Sequence, residues 1–352
     1  MADPSSVTLY GVADTFVQYL NNGGMSSISE RSGGNTGSLF GFRGSENLGG
    51  GLKAEFDLEN GFNINNGTGF IDTSALFYRQ AWVGLTHGAY GSLTLGRQYE
   101  PSFRAIYPTD PFRANDIMSP LSAGVLTVDR NTLSTQFIAG RASNSILYQS
   151  PVLGGFQVDA MYAFAASVTQ PEPATTGNIL DLSASYSGYG LYAAIAYQYQ
   201  HSAVATIPGL PGPLTLADTE HYSAGLAYRI GIVSLQANYS YNRAKAVPAH
   251  SLSALLDTAH PYGLAEVGAT IQATPADLFE IAGINRDVRG ADDNAWGIQA
   301  GYDHALSKRT TLYARAGYMK NHGEATMSWP GVRVQASGTS QTLAVIGMTH
   351  RF

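Results

Sequence analysis

The sequence predicts an all-β protein, a transmembrane antiparallel β-barrel of about 16 strands with long external loops. Three features of the chain indicate this fold. Apolar and polar residues alternate with a period of two, in segments of about 10 residues, along the whole chain. The connections between these segments are alternately very short and long. The final segment, 341–352, ends on an aromatic residue, Phe352, as the closing strands of outer-membrane barrels do.

The composition excludes several classes of protein. Of the 352 residues, 44% are apolar, which is too many for a disordered chain, and only 13% are charged. The longest apolar runs fall far short of the roughly 20 residues that a spanning helix needs. Cysteine is absent, which excludes disulfides, thiolate metal sites and cysteine catalysis. Acidic residues outnumber basic ones, 26 to 20, which argues against nucleic acid as a partner.

Each strand has one apolar and one polar face. In the segment 180–187, Leu180 and Leu182 alternate with Asp181 and Ser183, and later segments repeat the pattern. A soluble sandwich or propeller would expose Lys, Glu and Arg, whereas these strands alternate apolar residues with Ser, Gln, Asn and Asp. We therefore expect the apolar face to contact lipid and the polar face to line a water-filled lumen.

The two kinds of connection distinguish the two ends of the barrel. Short turns, predicted to be periplasmic, fall at 47–51, 87–91, 151–155, 274–277 and 305–309. Long links, predicted to be extracellular, fall at 21–36, 60–73, 100–140, 164–177, 202–216, 243–261, 286–293 and 321–337. The whole chain, 1–352, is expected to form one barrel domain.

Several sequence blocks resemble those of a known family and keep the family's order. They are Val7-Thr8-Leu9-Tyr10-Gly11, Phe42-Arg43-Gly44-Ser45-Glu46-Asn47-Leu48-Gly49, Arg79-Gln80-Ala81-Trp82-Val83-Gly84-Leu85, Leu95-Gly96-Arg97-Gln98-Tyr99, Asn144-Ser145-Ile146-Leu147-Tyr148-Gln149-Ser150-Pro151 and His350-Arg351-Phe352. The chain resembles the trimeric general porins of Gram-negative bacteria, specifically the beta-proteobacterial type.

This resemblance implies a homotrimer of 16-stranded barrels in the cell outer membrane, in contact with lipid and lipopolysaccharide. It implies that a third external loop folds into the lumen and narrows the channel, and we name the segment 100–140 the inward loop. The resemblance also implies that the barrel insertion machinery reads Phe352 as an assembly signal. The start of the chain, Met1 to Ser6, is similar to a mature exported N-terminus from which a signal peptide is missing.

A diffusion channel needs no reacting group, but it needs a constriction and fixed charges that sort solutes. Alternation along two strands points Arg43 and Arg141 into the lumen. By resemblance to the family, Arg79 joins them in a cluster of wall arginines that faces the inward loop.

We expect the inward loop to present carboxylates to these arginines. Asp116 is the favoured candidate, followed by Asp110 and Glu100, while Arg113 adds a cation of the loop's own. Opposed charges would set up a transverse field that orients dipolar solutes and penalises apolar ones. The alternative is that the arginines pair with loop carboxylates, which also include Asp129, and hold the loop in place.

Three further residues are expected on a solvated lumen wall. On the first strand, Tyr10 and Asp14 fall on the face opposite to that of Leu9. On a later strand, Lys53 alternates with apolar neighbours. We expect these residues to form an ordinary part of the pore wall, with no further role.

These features predict a general diffusion channel for small hydrophilic solutes and ions. Wall arginines favour a weak anion preference, and we expect neither a cofactor nor an enzymatic activity. The eight His residues show no metal-ligand spacing. A substrate-specific outer-membrane channel is the alternative. A barrel enzyme, such as an outer-membrane phospholipase, is less favoured because it would need a Ser-His-Asn grouping that no spacing indicates.

Overall fold

The computed structural model forms one antiparallel sheet that closes on itself where β1 pairs with β19. The structure describes residues 5–70, 75–114, 116–125, 140–165, 177–205, 214–249, 251, 254 and 259–352. The strands are β1 (Ser6–Asn22), β2 (Met25–Ser32), β3 (Leu39–Gly49), β4 (Leu52–Gly61), β5 (Gln80–His87), β6 (Gly91–Tyr99), β7 (Arg141–Gln149), β8 (Phe156–Ala163), β9 (Ile179–Gly188), β10 (Leu191–Gln200), β11 (Ala203–Ala205), β12 (Leu214–Leu216), β13 (Asp218–Ile230), β14 (Val233–Ala246), β15 (Tyr262–Gln272), β16 (Asp277–Val288), β17 (Ala295–Ala305), β18 (Thr310–Asn321) and β19 (Ser340–Arg351).

The barrel has 16 strand positions, although its sheet contains 17 strands. β2 pairs with one half of β1, from Thr15 to Asn22, and β3 pairs with the other half, from Ser6 to Val12. These two strands therefore share one position, and a break at 33–38 separates them. β11 and β12 form a separate small hairpin in the link after β10. The predicted all-β barrel of about 16 strands is confirmed.

Side chains alternate between the outside and the inside of the barrel. On β16, Phe279 and Ile281 are exposed on the outer surface, whereas Glu280 and Ala282 point inward and are buried. Further large apolar side chains are exposed on the other strands, among them Val83, Leu95, Ile195, Leu226, Val267, Ile298 and Ile346. A closed barrel with an apolar outer face satisfies its backbone hydrogen bonds internally, as a membrane requires.

The predicted long link at 21–36 is wrong, because β1 and β2 form a tight hairpin there. Gly23 and Gly24 make the turn with φ angles of 61° and 91°, which glycine adopts without steric cost. Most of β2 is Ser and charged residues, so it lacks the apolar period that marks the other strands. The other seven predicted long links fall between successive barrel strands, although 202–216 contains the β11–β12 hairpin and 243–261 and 286–293 overlap the ends of β14 and β16.

Two short helices lie in the inward loop, namely α1 (Pro101–Ile106) and α2 (Pro120–Val125), with a 3₁₀ turn at Tyr107–Thr109. Both helices begin at proline, whose fixed φ suits the first helical position. α1 packs against β8, β9, β10 and β13, and α2 packs against β15 and β16. The described part of the inward loop therefore crosses the inside of the barrel. No helix among the described residues has the length and apolar character needed to span a membrane.

The seam of the barrel closes at Phe352. Its backbone N–H donates to the Gly11 carbonyl at 3.0 Å, and its carbonyl accepts from the Gly11 N–H at 3.1 Å. The Phe352 ring covers Gly11 so closely that a Cβ there would lie 2.3 Å from it. A residue without a side chain is therefore required at position 11.

Replacing the outward-facing Val267 with Arg should lower the free energy of unfolding by about 2–4 kcal/mol, because the cation would lie near the middle of the apolar band. Val267 is 65% exposed in the middle of β15. Leu306, in the turn after β17, is the control, and Leu306→Arg should cost about 0–1 kcal/mol. Equilibrium denaturation in lipid vesicles measures both. Equal costs would contradict the assignment of the outer face to lipid.

Candidate functional site

Three arginines and one face of the inward loop line a single cavity inside the barrel. Arg31 comes from β2, Arg79 immediately precedes β5, and Arg141 begins β7. The loop contributes residues of α1, of α2 and of the segment between them. Arg43, Arg79 and Arg141 were predicted here. The structure brings Arg79 and Arg141 together but places Arg31, not Arg43, beside them.

Arg79 is buried, and its charge is compensated. Its Nε donates to Glu59 Oε1 at 2.6 Å, and its Nη2 donates to the Tyr99 hydroxyl at 3.2 Å. Glu59 lies on the inner face of β4, where it also accepts a hydrogen bond from the Tyr10 hydroxyl at 3.1 Å. Arg79 therefore fixes the end of one strand to another and offers the cavity little net charge.

Arg141 has an aromatic partner instead of an acidic one. Its guanidinium lies 4.0 Å from the centre of the Tyr99 ring, and its Nη2 donates to the Tyr99 hydroxyl. Its Nε is buried without a hydrogen-bond partner. Within the described residues, no carboxylate forms an ion pair with Arg141.

Arg31 is the cavity arginine that the sequence analysis missed. Its Nη1 donates to Gln18 Oε1 and its Nη2 to the Pro330 carbonyl, both at 3.1 Å, while its guanidinium lies 5.6 Å from the Phe16 ring. In the described part of the chain it has no carboxylate partner. The sequence offers little signal for it, because Ile28 is the only apolar residue among the neighbours Ile28, Ser29 and Glu30.

Arg43 lies on the lumen wall, apart from the cavity. Its exposed guanidinium lies 4.8 Å from the Tyr10 ring, and the Tyr10 hydroxyl donates to Asp57 Oδ1 at 2.7 Å. β3 and β4 place Arg43 directly opposite Asp57. Lys53 is half-buried one residue after β4 begins, next to the short turn that follows β3. Tyr10, Arg43 and Lys53 therefore belong to the wall below the cavity.

The loop carboxylates do not face the arginines as free charges. Glu100, Asp110 and Asp116 are 1%, 0% and 2% exposed. Asp110 accepts hydrogen bonds from the backbone N–H groups of Phe112 at 2.8 Å and Ala114 at 2.9 Å, so it stabilises a turn of the loop itself. Asp110 therefore stabilises the loop through the loop's own backbone and not by pairing with a wall arginine, as the alternative interpretation supposed.

Asp116 binds the loop to the opposite wall. Its Oδ2 lies 2.8 Å from both Nε and Nη2 of Arg315 on β18, and its Oδ1 accepts from the Met118 N–H at 2.7 Å. Arg315 also bonds Asp303 at 2.7 Å. Asp116 is among the cavity-lining residues, yet its charge is taken up by Arg315.

Glu100 is buried and is not one of the residues that line the cavity. Burial, and after it the nearby Asp181 carboxylate, raises the pKa of Glu100 to about 8. Asp181 accepts hydrogen bonds from the backbone and hydroxyl of Ser102, at 2.8 and 2.6 Å, and so holds the start of α1. Arg113 is exposed with a φ of 56° and is not one of the described residues that line the cavity. Asp129 lies outside the described residues.

Asp14 was expected on a solvated wall, but the structure buries it completely. Its carboxylate accepts five hydrogen bonds, which come from the N–H groups of Gly34 (2.7 Å), Asn35 (3.3 Å) and Thr36 (3.2 Å) and from the hydroxyls of Tyr313 (2.7 Å) and Thr349. The three successive N–H groups form an anion-binding concavity of the kind called a nest. These donors compensate the carboxylate for its lost hydration.

The break at 33–38 connects Asp14 to the constriction. The Gly34 carbonyl accepts a hydrogen bond from the Ile117 N–H of the inward loop at 2.9 Å. Gly33 and Gly37 of the break line the same cavity as the arginines. Asp14 therefore holds the segment of wall on which the inward loop rests.

A family model described as Gram-negative porin matches residues 1–324 of the chain. The chain belongs to the Gram-negative porin family. Outer membrane porin protein 32 of Delftia acidovorans is 30% identical over 359 residues, which cover 99% of this chain and 94% of that protein. An outer membrane porin protein of Bordetella pertussis is 27% identical over 390 residues, with the same two coverages.

Solved porin structures share the fold. The anion-selective porin from Comamonas acidovorans superposes with a TM-score of 0.82 at 27% identity and covers 99% of this chain and 100% of its own. OmpT of Vibrio cholerae, in a trimer form, matches with a TM-score of 0.67 at 13% identity and covers 99% of this chain, which shows the fold alone. This porin is therefore an integral outer-membrane protein and a channel for passive diffusion. The family and these relatives are channels rather than enzymes.

Asp14→Asn should loosen the constriction of this porin. The amide would turn an NH₂ group toward hydrogen-bond donors, and unsatisfied buried groups cost about 1–3 kcal/mol. We expect a larger single-channel conductance and, in liposome swelling, passage of larger sugars. Asp57→Asn is the control, since it removes the same charge from the lumen wall without contacting the break. A conductance equal to that of Asp57→Asn would show that Asp14 does not support the constriction.

Proposed function

We propose that this channel prefers anions and that Arg31 and Arg141 set the preference. The observation that carries the proposal is that both guanidinium groups line the cavity without a carboxylate partner among the described residues. Arg79 shares its charge with Glu59, and the carboxylate of Asp116 is bonded to Arg315. The cavity therefore carries an excess of positive charge.

The size of this effect follows from simple electrostatics. Two unit charges 4 Å apart interact by about 1 kcal/mol in water and by about 4 kcal/mol at an effective dielectric constant of about 20. Next to one arginine, the smaller energy attracts an anion and repels a cation by about 1 kcal/mol each, which favours the anion roughly thirtyfold before screening by salt. The formal net charge of −6 has little influence, because charges beyond about 10 Å are screened at 0.1 M salt. The preference should accordingly weaken as salt is added.

The relatives support the same proposal. The porin from Comamonas acidovorans, which is described as anion-selective, is 27% identical to this chain and covers nearly all of it. We further propose that the protein works as a homotrimer, since a porin with the same fold is known in a trimer form. In the outer membrane it would contact lipid and lipopolysaccharide, with the long links at the cell surface.

Arg31→Gln and Arg141→Gln should each lower the anion-to-cation permeability ratio by about two- to fivefold, because each removes a charge that has no carboxylate partner among the described residues and that salt partly screens. Arg43→Gln should have a smaller effect, since Arg43 lies opposite Asp57 on the wall below the cavity. Reversal potentials in planar bilayers under a KCl gradient measure all three.

Arg309→Gln is the charge-matched control, because Arg309 is exposed in the short turn before β18. It should leave the reversal potential unchanged. If Arg31→Gln and Arg141→Gln behave like Arg309→Gln, these arginines do not determine the selectivity.

We also propose that Phe352 is an assembly signal read by the barrel insertion machinery. Its ring is 49% exposed although it covers Gly11, so one side of it is accessible to a partner. Phe352→Ala should reduce the amount of folded trimer in the outer membrane, whereas His350→Ala should not. Heat-modifiable mobility of trimers in membrane fractions measures this, and equal yields for the two variants would refute it.

A further inference from the structure

Among the described residues, apolar side chains make up most of the loop side of the constriction. Phe103 and Ile106 from α1, Leu121 from α2, and Ile117 between the helices line the same cavity as the arginines, together with Ser102, Asp116 and Ser122. Ile106 and Leu121 pack in one cluster with Ala194 of the barrel wall. The Tyr192 hydroxyl donates to the Ala105 carbonyl at 2.7 Å and so fixes α1 to the wall. This apolar face is therefore a rigid part of the constriction.

The apolar face continues directly into the arginine side. The Tyr99 and Phe103 rings are stacked, with centroids 5.4 Å apart and planes at 10°. Arg141 lies over Tyr99, 4.0 Å from the centre of its ring. Guanidinium, phenol and phenyl groups thus follow one another, and a small solute can touch a cation and an aromatic face at the same time.

The placement of the loop carboxylates decides what this arrangement selects. A row of carboxylates opposite the arginines would bind water strongly between the two charged walls and exclude apolar groups. Here Asp110 is bonded within the loop, Asp116 is bonded to Arg315, and both are buried. Water beside the apolar side chains of the loop finds few hydrogen-bond partners there. An apolar group of a solute therefore displaces this water favourably.

We propose that the constriction is an amphipathic anion site, which takes small monocarboxylates with an apolar ring in preference to equally large carboxylates with a polar ring. The carboxylate lies against Arg31 and Arg141, and the ring lies against Phe103 and the neighbouring loop residues. This inference rests on the anion preference proposed above and adds the chemical class of the solute.

The test compares cyclohexanecarboxylate with tetrahydropyran-4-carboxylate. The two anions have the same charge, shape and size and differ only in one ring CH₂ replaced by an ether oxygen. Reversal potentials against chloride in planar bilayers give the permeability of each. We expect cyclohexanecarboxylate to be favoured about threefold, less than the roughly tenfold or more for a fully enclosed methylene, because the wall contacts one side of the ring.

Phe103→Ala should bring this ratio close to one. Phe279→Ala is the matched control, since Phe279 is exposed on the outer face of β16 and should leave the ratio unchanged. Phe70→Ala, in the link between β4 and β5, removes a second aromatic side chain from the same cavity without altering the inward loop, and it should also lower the ratio.

Each outcome separates the two proposals. A threefold ratio that Phe103→Ala or Phe70→Ala reduces, and that Phe279→Ala retains, supports the amphipathic site. A ratio of one or less in the unmodified porin, with chloride still preferred over potassium, overturns the amphipathic site and leaves the anion preference intact. A preference for potassium over chloride overturns the anion preference, and the amphipathic site fails with it.

Discussion

Every backbone N–H and C=O group within a membrane must find its partner inside the protein, and the architecture of this porin follows from that constraint. The chain meets it by pairing β1 with β19, which closes the sheet on itself. Closure then makes successive side chains alternate between lipid and lumen. Each strand therefore carries two sets of residues, and only the lumen set can carry charge at low cost.

Inside the lumen, the partner of each arginine decides whether its charge serves the structure or the channel. Arg79 bonds Glu59 and so joins two strands of the wall, whereas Arg315 bonds Asp116 and so holds the loop to the wall. Arg31 and Arg141 lie instead on the rings of Phe16 and Tyr99. A ring orients a guanidinium group without cancelling its charge. Cation–π contacts thus keep two positive charges in fixed positions, where the proposed anion preference requires them.

The period-two alternation and the pattern of connections predicted the barrel and its strand number, because these features depend on local sequence, and the family resemblance implied the inward loop. The partners of charged residues could not be predicted in this way. Asp116 reaches Arg315 across 199 positions in the chain, and only the closed barrel brings them together. Arg31 was missed because β2 has too few apolar residues to show as a strand. Asp14 falls on the lumen face of β1 by alternation, but nothing near it in the sequence shows that the break at 33–38 covers it.

That break is an exception to the rule that governs the rest of the wall. It interrupts the ladder between β1 and its neighbour, and the N–H groups that it frees are satisfied by the Asp14 carboxylate instead. Another donor to this carboxylate, Thr349, belongs to β19, and the β1–β19 pairing places it directly opposite Asp14. The support of the inward loop therefore includes a contact across the seam. Because this contact exists only where β1 and β19 are paired, the full set of donors to Asp14 is present only in the closed barrel.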